Sequence, residues 1–477
     1  MNDKTPKYIT TTLPYVNSKP HIGFATELVR ADTFARYQKL LGHEVFLNTG
    51  TDEHGQKIYD KAKEEGINTQ EFVDGLAEEF KNLLPELGIL PEAHFIRTTD
   101  EHHIKAAQEM WRRCKEKGDI YKAEHEVKYC KGCELEKTDS ELEDGKCPLH
   151  PNNDIEIREE ENYFFRFSKY QESLLKLYAE NPEFVVPDFR LNEIKRFVEG
   201  GLQDFSVSRL KSKMSWGVPV PDDEEHIMYV WFDALTNYIS TTGWPEKEDF
   251  GGWWPGIQFA GKDNLRQQSA IWQAMLISAG IPNSTQVFVG GFINSGGQKM
   301  SKSLGNVISP NELTERYGRE ATRYLLLRHV HPFEDTDITW DRLDEWYTAN
   351  LVNGLGNLTA RIMKMAETHL EGPIDRPEAE GFDNVYVVAL NTYNFQTAMD
   401  FVWSKVQTLD EKIAETEPFK LVKEDKEAAI IIIKDLVKEL YLIARMLNPV
   451  MPEANKIIKE AVLANKKPEN LFARLDS

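Results

Sequence analysis

Apolar residues recur along this chain in two periods, and the switches between them mark its parts. Residues 7–13 form a short β-branched run ending at Pro14, which predicts a strand. A loop with Asn17, Ser18 and Pro20 follows. Leu28, Ala31, Phe34, Ala35 and Leu41 then keep a helical spacing, and 45–47 reads as a second buried strand. Strand, glycine-bearing loop, helix and strand predict a doubly wound, parallel-sheet (Rossmann-like) α/β domain with its ligand site beyond the carboxyl ends of the strands.

The pattern breaks near residue 119 into short segments rich in Cys, Lys, Glu and Gly. Strand-like runs return at 228–232, 257–260 and 286–289. One sheet interrupted by an insertion is the simplest reading. From Leu343 onward the spacing is helical, through Trp346, Tyr347, Leu351, Leu355, Leu358, Ile362 and Met365, and again through Ile433, Leu436, Val437, Leu440, Ala444 and Leu447. The predicted division is 1–118 and 226–292 for the two halves of the α/β domain, 119–225 for the insertion, 293–345 for a linker domain and 346–477 for a helical bundle.

The 477 residues exceed one compact core, which agrees with several domains. With 41% hydrophobic and 28% charged residues, and no apolar run of the ~20 residues a membrane span needs, the chain reads as globular. Residues 1–6 hold no apolar signal region, so a cytoplasmic location and no membrane partner are expected. The net charge of -21 argues at first against nucleic acid, yet an acidic protein can carry a local basic face. Four cysteines do not make a disulfide framework. Three of them, Cys130, Cys133 and Cys147, cluster with His150 as two pairs with two-residue gaps. That spacing suits one structural, tetrahedral Zn2+ held by three thiolates and an imidazole. Cys114 falls in a helical pattern and reads as a packed thiol.

Two segments suit phosphates. His21-Ile22-Gly23-Phe24 stands where the first loop becomes a helix, and the exposed N–H groups there favour an anion. Gly296 to Ser303 joins two glycines to Lys299 and Lys302, cations able to engage pyrophosphate as it leaves. Each alone is ordinary: a histidine at a turn, a solvated lysine loop. Gly256 to Lys262 has P-loop spacing, but Asp263 stands where a magnesium-binding hydroxyl belongs.

Together the two segments resemble the signature motifs of class I aminoacyl-tRNA synthetases. Lys299 to Ser303 agrees at every position, and His21 to Phe24 departs at Phe24, where the family has histidine or asparagine for phosphate contact. Phenylalanine donates no hydrogen bond, so His21, Lys299 and Lys302 must compensate or activity falls. Gly261-Lys262-Asp263 resembles the segment whose glycine and aspartate meet the ATP ribose. Residues 11–17, 51–55, 231–238, 299–306 and 334–341 resemble the methionyl members in particular.

That resemblance implies activation of L-methionine by ATP, with Mg2+, to methionyl-adenylate and pyrophosphate, then transfer to tRNA(Met), the initiator included. It implies catalytic roles for His21, Lys299 and Lys302, and ATP contacts from these with Gly23, Gly261 and Asp263. The methionine pocket would comprise Leu13, Tyr15, Asp52, Trp231, Ala234, Tyr238, Gln268 and Trp272, with Asp52 on the substrate ammonium. Aromatic walls suit a polarisable thioether. Gln268 replaces a usual histidine and Gln267 a usual phenylalanine, which makes the pocket floor more polar. The zinc site falls in the family's inserted connective domain, and the terminal bundle corresponds to its anticodon-binding domain. Asn357 and Arg361, one helical turn apart, and Phe419, in place of a tryptophan, would meet the anticodon. No carboxyl-terminal dimerisation module is recognisable, so a monomer is expected. The rival readings are a leucyl or cysteinyl synthetase, or a catalytically weak paralogue that binds tRNA.

Overall fold

The computed structural model describes residues 5–130, 135–137, 142, 144–148, 155–300, 306–378 and 381–475. Its strands in chain order are β1 Lys7–Thr11, β2 Val45–Thr51, β3 His94–Arg97, β4 Ile120–Cys130, β5 Leu135–Lys137, β6 Ile155–Phe165, β7 Val185–Val186 and β8 Phe205–Ser206. They continue as β9 Ser208–Leu210, β10 His226–Met228, β11 Ile257–Gly261, β12 Gln286–Gly290, β13 Ile293–Ser295, β14 Gln298–Lys299 and β15 Thr336–Asp337.

Six of these form the central sheet in the order β3-β2-β1-β11-β12-β7, with every pair parallel. Ile9, Leu47, Phe259, Phe288 and Val287 are buried on this sheet, as a parallel sheet covered on both faces requires. Chain order reverses between β1 and β11. The crevice at that reversal, beyond the carboxyl ends, is where this architecture places ligands.

Two details differ from the sequence reading. Residues 228–232 are not a strand: β10 ends at Met228 after pairing antiparallel with β9, and Val230–Ala234 is a short helix. An aromatic-rich apolar run fits either period, and packing decides between them. In addition, β7 lies inside the stretch 119–225 yet pairs with β12 at the sheet edge. The rest of that stretch includes the long ribbon β4–β6, flanked by β5 and β8. The P-loop spacing at Gly256 is void, because Ile257–Gly261 is a strand of the sheet and no phosphate loop.

Beyond β12, the β13–β14 hairpin and β15 form a small sheet. The chain then runs as one helix over 340–369, widened to π-type turns over Tyr347–Gly356, and continues through Phe395–Thr416, Lys426–Leu447 and Pro452–Ala464. Asn394 and Asp425 cap two of these by accepting from Thr397 N and Ala428 N. Ile362, Leu436, Leu440 and Leu447 close the bundle core. Among the described residues no helix is long and apolar enough to cross a membrane.

The α/β and helical parts meet at a buried ion cluster. Asp32, on the first helix, accepts from Arg36 at 2.7 Å, Arg323 at 2.6 Å and Leu90 N at 2.7 Å. Arg323 also donates to the carbonyls of Leu87, Pro449 and Val450. Every charged atom there has a partner, so the joint is fixed in one geometry.

Candidate active site

The segment after β1 is zipped to the end of β2. Asp52 N donates to Pro14 O at 3.0 Å and Val16 N to Asp52 O at 3.1 Å, while Thr12 N reaches Phe259 O at 3.0 Å. These bonds carry Leu13 and Tyr15 over the carboxyl ends of the strands, with Tyr15 facing Asp52 in a parallel bridge.

Asp52 is 7% exposed, and among the described residues its Oδ1 has no hydrogen-bond partner. Burial first, then the neighbouring Asp233 and Glu53, hold its carboxyl well above the usual range, while the His54 N–H works the other way. Its neighbour in sequence behaves oppositely: Glu53 is gripped by Arg97 at 2.7 and 2.9 Å and by the hydroxyls of Thr51 and Thr99. A buried carboxylate oxygen without a partner is costly.

Around Asp52 stand the aromatics. Tyr238 and Trp272 are fully buried, with ring centroids 5.7 Å apart. Burial, then Glu27, and more weakly Asp52, raise the Tyr238 hydroxyl far above its ordinary value, so both carboxyls lie within electrostatic reach of it. Ala234 is buried and Leu13 half-buried. Trp231 is set apart: it is 39% exposed and its ring meets Tyr229 edge-on.

Gln268, at the position where the family has histidine, is buried and donates to the Tyr238 hydroxyl at 2.6 Å. Its carbonyl accepts from Gln258 at 3.0 Å, Gln258 accepts from Ser284 at 2.7 Å, and Ser284 accepts from Gln273 at 3.0 Å. The chain of amides fixes which end of Gln268 faces Tyr238. Tyr238 accepts there, which leaves its own hydrogen to donate to another acceptor.

On the other side of the crevice, His21 caps the helix Ile22–Leu40, its Nδ1 accepting from Gly23 N at 3.1 Å. With Nδ1 an acceptor, the hydrogen of the neutral ring sits on Nε2. A Cβ at Gly23 would stand 2.9 Å from the imidazole, so a larger residue there would push His21 out of this cap. Phe24 turns away, 5% exposed and packed edge-on against Phe80 at 5.3 Å. It is a core residue and contributes nothing to a phosphate site.

Gly261 ends β11, and a Cβ there would stand 2.8 Å from Asp263 Oδ1. Asp263 is exposed at the crevice, and its charge reaches Glu27. Glu27 was not singled out from sequence. It accepts from Thr12 N at 2.7 Å and Thr12 Oγ1 at 2.6 Å, and burial pushes its carboxyl up to about 8. The signal was available: an acid one helical turn beyond Gly23 shares its face. A second omission is Asp233, fully buried between His54 Nδ1 at 3.0 Å and His103 Nε2 at 3.5 Å.

Lys299 closes β14, whose partner β13 pairs with β15. Asp337 accepts from Gly297 N at 2.7 Å, and Asp335 grips Lys262 at 2.6 Å, so 334–341 buttresses the hairpin. The side chain of Lys299 is not described, and Lys302 lies outside the described residues.

Of the metal ligands read from sequence, Cys133 and His150 lie outside the described residues. Cys130 ends β4, where it pairs with Leu135, and Cys147 is buried. Among the described residues no group of three or more candidate ligands stands together. Cys114 is buried in a helix, and burial pushes its thiol up to about 12, as a packed thiol should be.

Asn357 begins the helix Asn357–His369 at the end of the π-type turns, and lies exposed. Arg361 follows on the same face, paired with Asp410 at 2.5 Å. Phe419 is 44% exposed at the start of Pro418–Leu421.

A split parallel sheet, a histidine-capped helix start at its chain reversal and a lysine-bearing hairpin beyond β12 are the arrangement of a class I synthetase. The family described as "tRNA synthetases class I (M)" matches residues 7–154 and 132–363, and the chain belongs to it. The methionine–tRNA ligase of Thermotoga maritima is 42% identical over 97% of this chain and 76% of its own length. That of a Nostoc species is 40% identical over 94% and 88%. The Mycobacterium tuberculosis methionyl-tRNA synthetase in complex with methionyl-adenylate superposes with a TM-score of 0.85 at 33% identity, covering 95% of this chain and 93% of that one. Within its class the chain is a member of the methionine–tRNA ligases.

Proposed function

We propose that the crevice activates L-methionine through the residues described above. Asp52 takes the substrate ammonium, and its unpartnered Oδ1 is the observation that carries the assignment. The thioether lies among Leu13, Tyr15, Trp231, Ala234, Tyr238 and Trp272, with Gln268 orienting Tyr238 so that its hydroxyl hydrogen meets the sulfur, a weak acceptor. Gly261 and Asp263 hold the ribose, Glu27 beside them. His21 Nε2–H, the Gly23 backbone, Lys299 and Lys302 face the phosphates.

The methionine carboxylate oxygen attacks the α-phosphorus. The bond to the bridging oxygen breaks, and pyrophosphate leaves with that oxygen's electrons. Orientation supplies most of the acceleration, and cations that tighten on the departing pyrophosphate supply the rest. Mg2+ accompanying ATP would shield the phosphate charge. A tRNA(Met) ribose hydroxyl then attacks the activated carbonyl and AMP leaves. Asn357, Arg361 and Phe419 read the anticodon, for which Arg361 must leave Asp410. Cys130, Cys133, Cys147 and His150 would hold one structural Zn2+, tying down a ribbon with little core of its own.

Methionine-dependent pyrophosphate exchange tests this reading. Exchange with methionine and none with leucine or cysteine is expected; the reverse ends the assignment. Lys302→Ala should slow exchange with methionine affinity nearly intact, and an unchanged rate would remove that lysine from the mechanism.

A further inference from the structure

The helical part carries a recess of about 330 Å3 lined by Arg376, Pro377, Glu378, Tyr441, Arg445 and Lys459. Its three cations come from three separate stretches: the loop after Asn357–His369, the helix Lys426–Leu447 and the helix Pro452–Ala464. Aromatic rings hold them in place. Arg376 Nε donates to the Tyr441 hydroxyl at 3.1 Å, Lys459 Nζ lies 5.5 Å from the Tyr441 ring centre, and the Arg445 guanidinium lies 5.0 Å from the Phe382 ring.

Several other cations in this half are neutralised. Arg319, Arg328, Arg361 and Lys412 pair with Glu453, Asp400, Asp410 and Asp435. The chain has 78 acidic residues against 57 basic ones, so carboxylates are in surplus. Yet among the described residues none of the three recess cations forms an ion pair, and Glu378 lines the recess without reaching them. Burial first, then Arg445 and Arg376, hold Lys459 below its ordinary value. Three like charges beside one carboxylate that does not pair with them repel one another, and an anion between them would relieve that.

We propose that this recess binds a phosphate of the tRNA backbone. Planar guanidinium forks match phosphate oxygens, and the ammonium adds a third donor. This rests on the reading of the chain as a tRNA ligase. It gives an acidic protein a local handle for a polyanion, apart from the Arg361 that its own carboxylate neutralises.

The test compares wild type with Arg376→Gln/Arg445→Gln/Lys459→Gln. Affinity for a tRNA(Met) transcript is measured across a salt series, beside pyrophosphate exchange without tRNA. The variant should bind roughly tenfold more weakly at low salt, with the log–log salt slope shallower by about 0.7–0.9 for each phosphate that the protein no longer neutralises, and exchange should be unchanged. An unchanged slope overturns the proposal. Lys459→Gln alone gives the same comparison with a smaller change should the triple variant fold poorly. Acetylation of Lys459 separates the phosphate sources: protection by tRNA at micromolar concentration supports the proposal. Protection by millimolar inorganic phosphate or pyrophosphate, with none from tRNA, makes this a free-anion site and overturns it. A wild-type chain that charges no tRNA sinks the functional reading and this proposal together. Normal charging with an unchanged slope sinks this proposal alone.

Discussion

Asp32 and Asp52 are both buried aspartates, in two different regions of this molecule, and the fold treats them in opposite ways. At the joint between the sheet and the helical part, Asp32 is met by two guanidinium groups and a backbone N–H. At the crevice, Asp52 keeps an oxygen with no partner and lies near a second carboxylate, Asp233. The burial is alike and the satisfaction is not. A satisfied buried charge holds a fold in one geometry, while an unsatisfied one stores a demand that only a ligand meets.

The contrast breaks most visibly at the joint. Asp32→Ala strands Arg36 and Arg323 in the interior, and removal of one partner of a buried pair costs about 3–5 kcal/mol. Chemical denaturation should show a loss of that size. The activity of the molecules that remain folded should stay near wild type, because no Asp32 atom reaches the crevice. A variant as stable as wild type would mean the cluster is not what locks the two parts.

Asp52→Asn should do the reverse. It keeps the shape and removes the charge that meets the ammonium, a loss on the order of 2–4 kcal/mol in binding and activation. That is a fall of roughly thirty- to a thousandfold in kcat/KM for exchange. Stability should hold or rise, since an unpaired buried carboxylate disappears. Lost stability with normal exchange would reverse the roles given to the two aspartates.

A smaller effect sharpens the account of the pocket floor. Gln268→Leu removes the donor that orients Tyr238, and a hydrogen bond of this kind contributes about 1 kcal/mol. The variant should lose roughly fivefold of its preference for methionine over norleucine, which has no sulfur to meet the hydroxyl. An unaltered preference ratio would show that the amide chain does not govern how the sulfur is read.

These sites differ in how far the sequence exposed them. β1, β2, β11 and β12 were legible because β-branched and aromatic runs bounded by turn residues have few alternatives. The stretch 228–232 was misread because its aromatic run satisfies both periods, and only the packing of Phe232 against Trp111 and Phe165 selects the helix. Asp52 was legible through the resemblance of 51–55. The feature that explains it, an oxygen without a partner beside a fully gripped Glu53, exists only in three dimensions. Phe24 shows the limit most plainly. Its identity marked a departure in a phosphate motif, and its burial against Phe80 shows a side chain that does not face phosphates at all. Gln258, Ser284 and Gln273 carry no motif, so the chain fixing Gln268 could be found only after folding brought them together.

The finest test concerns Glu27, which lies between the two cases. Thr12 gives it two hydrogen bonds, yet burial and the charge of Asp263 still push its carboxyl up to about 8. A carboxyl of an unfolded chain releases its proton near the ordinary value of 4.5. Between that pH and about 8 the folded protein therefore binds more protons at this position than the unfolded one, and linkage makes this group's contribution to stability fall as pH rises. Below 4.5 both states are protonated and above about 8 both are ionised, so the slope is confined to that window. Glu27→Gln removes the titration and keeps the contacts with Thr12. The melting temperature of the ligand-free wild type should then decline more steeply from pH 5 to pH 8 than that of the variant, and the two curves should run parallel at higher pH. Curves parallel throughout would mean that Glu27 is ionised in the empty crevice, and that its demand, like that of Asp32, is already met within the fold.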